Sequence, residues 1–332
     1  MAASQSNSET KSRAARLVCV GFHGHEPSNE LIQLVGMGVR VVILFERNVG
    51  DRDHVARLVH DIKSLSDEPI LICVDQEGGN TSRLKNGFSP PPTMREIGNE
   101  GPGRAAQVGE HLAAELRPIG IDMNLAPVVD VDTNPENPII GVRSFSDNPE
   151  HVGECGAALI RAMQAGGIGA CAKHFPGHGD TAQDSHHELP VLGHDMERLR
   201  SVELRPFEAA IRAGVAAVMT AHIQFDEMDS SCPATLSPAV VNGLLRKEMG
   251  FGGVVIADDL EMEGISAHYE IPDAGVRAIE AGVDIVPCCH RFDQQIALID
   301  ALTEAISSGR ISESRVEESI ARIDAVFDRF VH

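Results

Sequence analysis

A chain of 332 residues with 42% apolar and 23% charged side chains can bury a large core. Its formal charge of −21 repels phosphate backbones and anionic lipid, which argues against nucleic-acid and membrane-surface roles. Its seven cysteines are odd in number and include no CxxC pair, so a disulfide framework is not expected and a reducing, cytoplasmic setting is.

Residues 1–14 are polar and rich in Ser, Lys and Arg, without the apolar stretch of a signal peptide, and read as a disordered leader to a catalytic domain over 15–332. Eight short apolar, β-branched runs follow: Arg16–Gly21, Val39–Phe45, Ile70–Val74, Ile121–Val131, Ile168–His174, Ala216–Ile223, Gly253–Ala257 and Val283–Cys288. Continuous rather than alternating runs are what strands buried on both faces require. Helical spacing of apolar residues marks Ala105–Arg117, Pro149–Ala165, Asp195–Ala213, Pro238–Glu248 and Asp273–Ala281, and 298–330 reads as two closing helices broken at Gly309. Several of these segments run into a glycine before the next strand, as a helix end favours. Eight such alternations predict one α/β domain, a single (β/α)8 barrel of the TIM type.

A barrel presents its chemistry at the C-terminal ends of its strands, where all eight βα loops open. The polar residues fall there: Asp75 and Glu77, Asp130 and Asp132, Lys173 and His174, His222, Asp258 and Asp259, and His290. The densest cluster is the loop from Lys173 to His178, Asp180 and Thr181, continuing through Asp184, Ser185 and His186. A zinc site competes for this loop, but Pro176, Gly177 and Gly179 forbid the helix that would align His174 with His178, so no metal is expected. Asp184 lies two residues from His186, close enough to orient an imidazole that donates and then accepts a proton. The apolar run into Asp258 and Asp259 suits a carboxylate delivered to the barrel mouth; the competing reading is a helix cap. With no Trp and only Tyr269, the chain is poor in the aromatic faces that grip long glycans, which favours a short soluble ligand.

Several separated motifs carry a resemblance: Val74–Asp75–Gln76–Glu77–Gly78–Gly79 with Arg83, Asn137 to Phe145, the Lys173–His186 loop, Pro233 to Pro238, and the approach to Asp258. Together they resemble family 3 glycoside hydrolases, specifically the single-domain β-N-acetylglucosaminidases. The resemblance implies a retaining exo-β-N-acetylglucosaminidase acting on terminal N-acetylglucosamine of short soluble glycans, either cell-wall muropeptide fragments of peptidoglycan recycling or chitin fragments. It implies Asp258 as nucleophile, His186 as acid/base polarised by Asp184, and Asp75, Arg83, Arg143, Lys173 and His174 as contacts to the sugar hydroxyls. His178 is expected to help shape the sugar pocket or to brace its own loop. No cofactor is implied, and the chain is expected to end after the barrel. Asn80 and Thr81 stand where the family usually has Arg and Val, and Ala257 where it has Ser or Thr.

Two other functions compete on the same residues. A phosphorylase would use phosphate in place of water, since a neutral acid/base removes repulsion against that anion. A non-catalytic sugar sensor would not need Asp184, His186 and Asp258 together. Glu77 reads as a brace, and His290 with Cys288 and Cys289 as a packed rim, with lining of the pocket as the other reading.

Overall fold

The computed structural model describes residues 2–185 and 188–331. Eight parallel strands run β1 (Val18–Val20), β2 (Val41–Leu44), β3 (Leu71–Val74), β4 (Met123–Asn124), β5 (Gly169–Phe175), β6 (Ala217–Thr220), β7 (Val254–Ala257) and β8 (Val286–Cys288). Every strand pairs with the next in sequence as far as β7, and β1 pairs with β8, Val18 lying opposite Val286. A single bridge, Ile256 to Ile285, joins β7 to β8 and completes the barrel. Their residues are buried almost without exception because the interior and the surrounding helices cover both faces.

The outer layer consists of α1 (Ala2–Ala15), α2 (Asn29–Met37), α3 (Arg52–Lys63), α4 (Pro102–Leu116), α5 (Pro149–Ala165), α6 (Leu204–Arg212), α7 (Ala239–Glu248, wound in the wider π form), α8 (Ile271–Ala281), α9 (Phe292–Ser307) and α10 (Glu313–Phe330). Helix α3 buries Val55, Leu58, Val59 and Ile62, a spacing of three and four residues that turns one stripe to the barrel.

Three sequence expectations are corrected. Residues 2–15 are helical where a disordered leader was expected: Ala14 and Ala15 are buried, and Lys11 and Arg13 reach Asp300 and Glu313. The fourth strand is regular only at Met123–Asn124, because Pro127 has no N–H for a ladder; Val128 regains pairing through a bridge to Lys173. The segment Asp195–Ala213 is two helices, Met196–Ser201 and Leu204–Arg212, parted at Val202, whose φ of −126° leaves the helical region.

Candidate active site

A cavity of about 490 Å³ opens at the C-terminal ends of the strands. Asp75, Arg83, Arg143, Lys173, His174 and Asp258 all line it. At its centre Lys173, buried at the middle of the barrel, places Nζ 2.7 Å from both Asp75 Oδ1 and Glu77 Oε1. Arg143 clamps Glu77 with two parallel bonds of 2.8 Å, the paired geometry that suits guanidinium to carboxylate. Burial alone would raise the Glu77 carboxyl, yet Arg143 and Lys173 hold it well below the usual range. Burial likewise opposes the Lys173 charge, and Asp75 and Glu77 outweigh it, raising the ammonium above its ordinary value. Arg83 stands 4.0 Å from Asp75, at the edge of ion-pair range.

Asp258 follows β7. Its burial favours the neutral acid, but His174, His222 and Lys173 around it favour the anion more strongly, and its carboxyl is held below the ordinary range. The Asp259 backbone N–H donates to Asp258 Oδ1 at 2.9 Å. His222, fully buried beneath, faces the Asp259 carbonyl through Nε2 at 3.1 Å, and that nitrogen must carry the proton. Burial pushes His222 down toward the neutral ring, and its Nδ1 lies 2.9 Å from the Thr235 hydroxyl. Beside the cavity, Asp130 is fully engaged. It accepts the backbone N–H of His174 and of His178, and lies 2.7 Å from His174 Nδ1, which fixes the ring that faces the sugar space.

The loop after β5 is fastened from both sides. Gly179 lies directly on the continuation of β4, where a Cβ would stand 1.7 Å from the Val131 carbonyl oxygen. His178, expected either to shape the sugar pocket or to brace its own loop, is not among the residues that line the cavity and is 2% exposed. Its Nδ1 lies 2.7 Å from Thr181 Oγ1 and its Nε2 2.9 Å from Ser185 Oγ, so it braces the loop. Burial, reinforced by His174, lowers its pKa to about 4 and keeps the ring neutral. Ser185 is anchored again by the Gly264 N–H, which donates to its carbonyl at 3.1 Å, in the short helix that follows the Asp258 turn. A Cβ at Gly264 would meet that carbonyl at 2.7 Å. Asp184, half-buried, accepts the Glu188 N–H on its carbonyl. His186 and His187 lie outside the described residues.

Arg47 and His290 also line the cavity; sequence reasoning assigned Arg47 no role there, and for His290 it offered pocket lining as the alternative to a packed rim. Arg47 follows β2 with no repeated motif to flag it, and His290 was read as a packed rim. Of the carboxylates that tie this network together, Glu77 was legible as a brace, whereas Asp130 was legible only as a polar residue at a strand end. Among the described residues, no group of three or more His, Cys, Asp or Glu is arranged to hold a metal ion.

The closed parallel barrel, with a cavity of paired carboxylates and cations at the C-terminal ends of its strands, defines a TIM-type barrel with its candidate site on the face where such barrels carry their chemistry. Residues 10–326 match the glycosyl hydrolase family 3 N-terminal domain, and the chain belongs to that family. It is 39% identical to the β-hexosaminidase of Neisseria meningitidis serogroup C over 280 residues, covering 82% of this chain and 76% of that protein. It is 36% identical to β-hexosaminidase A of Pseudoalteromonas piscicida, spanning 89% of this chain but 54% of that protein. The solved family 3 β-N-acetylglucosaminidase of Paenibacillus sp. superposes with a TM-score of 0.94 at 43% identity, over 96% of this chain and 62% of that one. NagZ of Neisseria gonorrhoeae, in complex with N-trifluoroacetyl-D-glucosamine, superposes with a TM-score of 0.79 at 32% identity, over 93% and 98% of the two chains. This chain therefore spans less than two thirds of the Pseudoalteromonas and Paenibacillus proteins. Among the described residues no helix is long and apolar enough to cross a membrane.

Proposed function

We propose that the protein is a retaining exo-β-N-acetylglucosaminidase that removes terminal β-linked N-acetylglucosamine from short soluble glycans. One observation carries the reading: the carboxylate matched to the nucleophile and the five residues matched to sugar hydroxyls line one cavity, although they come from strand ends spread over residues 75–258. The names of the relatives, β-hexosaminidases and a NagZ holding an N-acyl glucosamine, support the sugar.

In this mechanism Asp258 attacks the anomeric carbon as an anion, and the bond to the leaving oxygen breaks as His186 protonates that oxygen. Asp184 orients and charge-stabilises the imidazole. His186 then takes a proton from water as the water oxygen bonds to the anomeric carbon and the bond from that carbon to Asp258 breaks, releasing the sugar and regenerating the carboxylate. The surroundings of Asp258 suit this task, since a carboxyl held low stays ionised at neutral pH. The anchoring of Ser185 against Gly264 supports the role of His186, because it ties the neighbouring residue to the turn that follows the nucleophile. Asp75, Arg83, Arg143, Lys173 and His174 hold the sugar. The seven free cysteines, six of them buried, fit a reducing cytoplasm, where muropeptide recycling or chitin-fragment breakdown would use this activity.

The test is release of nitrophenol from the β-N-acetylglucosaminide and the β-glucoside, with wild type and Asp258→Ala, with and without phosphate. Activity on the first substrate alone, lost in the variant and indifferent to phosphate, is expected. Dependence on phosphate would make the protein a phosphorylase. A folded protein inactive on both substrates would make it a sugar sensor.

A further inference from the structure

The nucleophile receives its hydrogen bond from a residue that is itself held at every polar atom. Asp259 gives its N–H to Asp258, while its carbonyl accepts from His222 Nε2 and from the Met262 N–H at 3.0 Å. One carboxylate oxygen of Asp259 accepts the Glu261 N–H at 3.2 Å. The other lies 3.1 Å from Nε2 of His290, a half-exposed imidazole on the cavity rim after β8. Here β7 and β8 meet at the Ile256 to Ile285 bridge, and at the mouth of that joint the contact from His290 to Asp259 joins the Glu261 carboxylate, which accepts the His290 and Arg291 N–H groups, as a side-chain stitch.

The state of the His290 ring follows from its partners. Arg47 Nη1 lies 3.0 Å from His290 Nδ1. A guanidinium only donates, so Nδ1 must present its lone pair, and the proton sits on Nε2, aimed at the Asp259 carboxylate. Arg47 is fixed in turn: it donates to the carbonyls of Phe22 at 2.8 Å and Cys289 at 2.6 Å and lies 4.4 Å over the Phe45 ring. With its second nitrogen facing a permanent cation, this imidazole is set to donate one hydrogen bond and is poorly placed to shuttle protons.

We infer that His290, held by Arg47, is a positioning residue that acts through Asp259 to orient the Asp258 carboxylate. The inference rests on Asp258 being the nucleophile, as proposed above. Without the His290 contact, the Asp259 carboxylate keeps only the Glu261 N–H within its own turn, and the turn that carries the Asp259 N–H loses a tie to the β8 side and is released to shift against Asp258. Misplacement of a reacting group by about 1 Å costs on the order of 100-fold in rate. The loss falls on attack rather than on sugar binding, because Arg83, Arg143 and Lys173 are held by Asp75 and Glu77 and not by His290.

The experiment compares wild type, Asp258→Ala, His290→Ala and His290→Gln on the nitrophenyl β-N-acetylglucosaminide, recording kcat, KM and the thermal unfolding midpoint. Glutamine extends an amide N–H to about the reach of Nε2. His290→Ala is expected to lower kcat about 10- to 100-fold with KM within about twofold, and His290→Gln to recover most of the loss. Unchanged kcat in His290→Ala overturns the inference. So does a loss that appears in KM, which would make His290 a contact to the leaving group, or a Gln variant as slow as Ala. If His290→Ala does not fold, His290→Asn, too short to reach Asp259, takes its place against Gln. An inactive wild type, or a fully active Asp258→Ala, overturns the nucleophile assignment and this inference with it, whereas an active wild type with normal His290 variants overturns this inference alone.

Discussion

Inside the loop after β5, the value of a residue lies in the charge it does not take. His178 is buried with both nitrogens bonded, and its pKa falls from an ordinary 6.5 to about 4. The unfolded chain takes up this proton near pH 6.5 and the folded protein does not. The stability gained from keeping the ring neutral is therefore complete above pH 6.5 and is lost progressively as pH falls toward 4. At full extent it amounts to about 3 kcal/mol. Denaturant titrations at pH 7.5, 5.5 and 4.5 should show this decline in wild type and a shallower one in His178→Gln, whose amide does not titrate. Glu77 and Asp130 are depressed carboxyls, so their contribution is present above the ordinary carboxylate range and is lost only below it. The two windows are separable because the imidazole begins to act about two pH units higher.

Between elements, one contact without a side chain links the two halves of the proposed catalytic apparatus. The helix Glu263–Ser266 approaches Ser185 so closely that only hydrogen fits at Gly264. Gly264→Ala should push the loop that carries Asp184 and His186 away from the Asp258 turn. We expect kcat/KM for the nitrophenyl substrate to fall about tenfold or more, with an unfolding midpoint little changed. Parallel kinetic and thermal measurements separate this outcome from simple destabilisation. This contact was not legible in the sequence, because nothing in Gly264 alone names Ser185 as its neighbour. The strands were legible, since a run such as Val254–Ala257 has to be buried on both sides. Helix α3 went unmarked although Val55, Leu58, Val59 and Ile62 keep helical spacing, since no glycine closes it and charged residues fill its other face. Among site residues, Asp258 and Lys173 announced themselves by following apolar runs. His290 and Arg47 did not, because what matters about them is their distance from Asp259 and from each other, set by closure of the barrel.

For the whole molecule, stability concentrates on Asp284, which is fully buried just before β8. It accepts from Arg315, Arg322 and Ser319 of α10, from Arg246 of α7, and from the Val255 N–H of β7. Asp284 is thus a charged rivet through the weakest joint of the barrel, compensated by three guanidiniums. Asp284→Asn leaves those cations without their counter-ion and should cost about 3–5 kcal/mol. Chemical denaturation at neutral pH measures the loss, and a change below about 1 kcal/mol would show that the arginines find other partners.

The pairing of Val18 with Val286 carries a consequence for how the protein is made. A ring cannot be finished from one end. Strand β1 leaves the ribosome long before its second neighbour, β8, so the growing barrel carries two open strand edges until β8 emerges. Open edges invite pairing with other chains. The hazard that closure removes from the mature barrel therefore falls on the nascent one, which makes the interval between β1 and β8 the period in which this fold has most need of a chaperone.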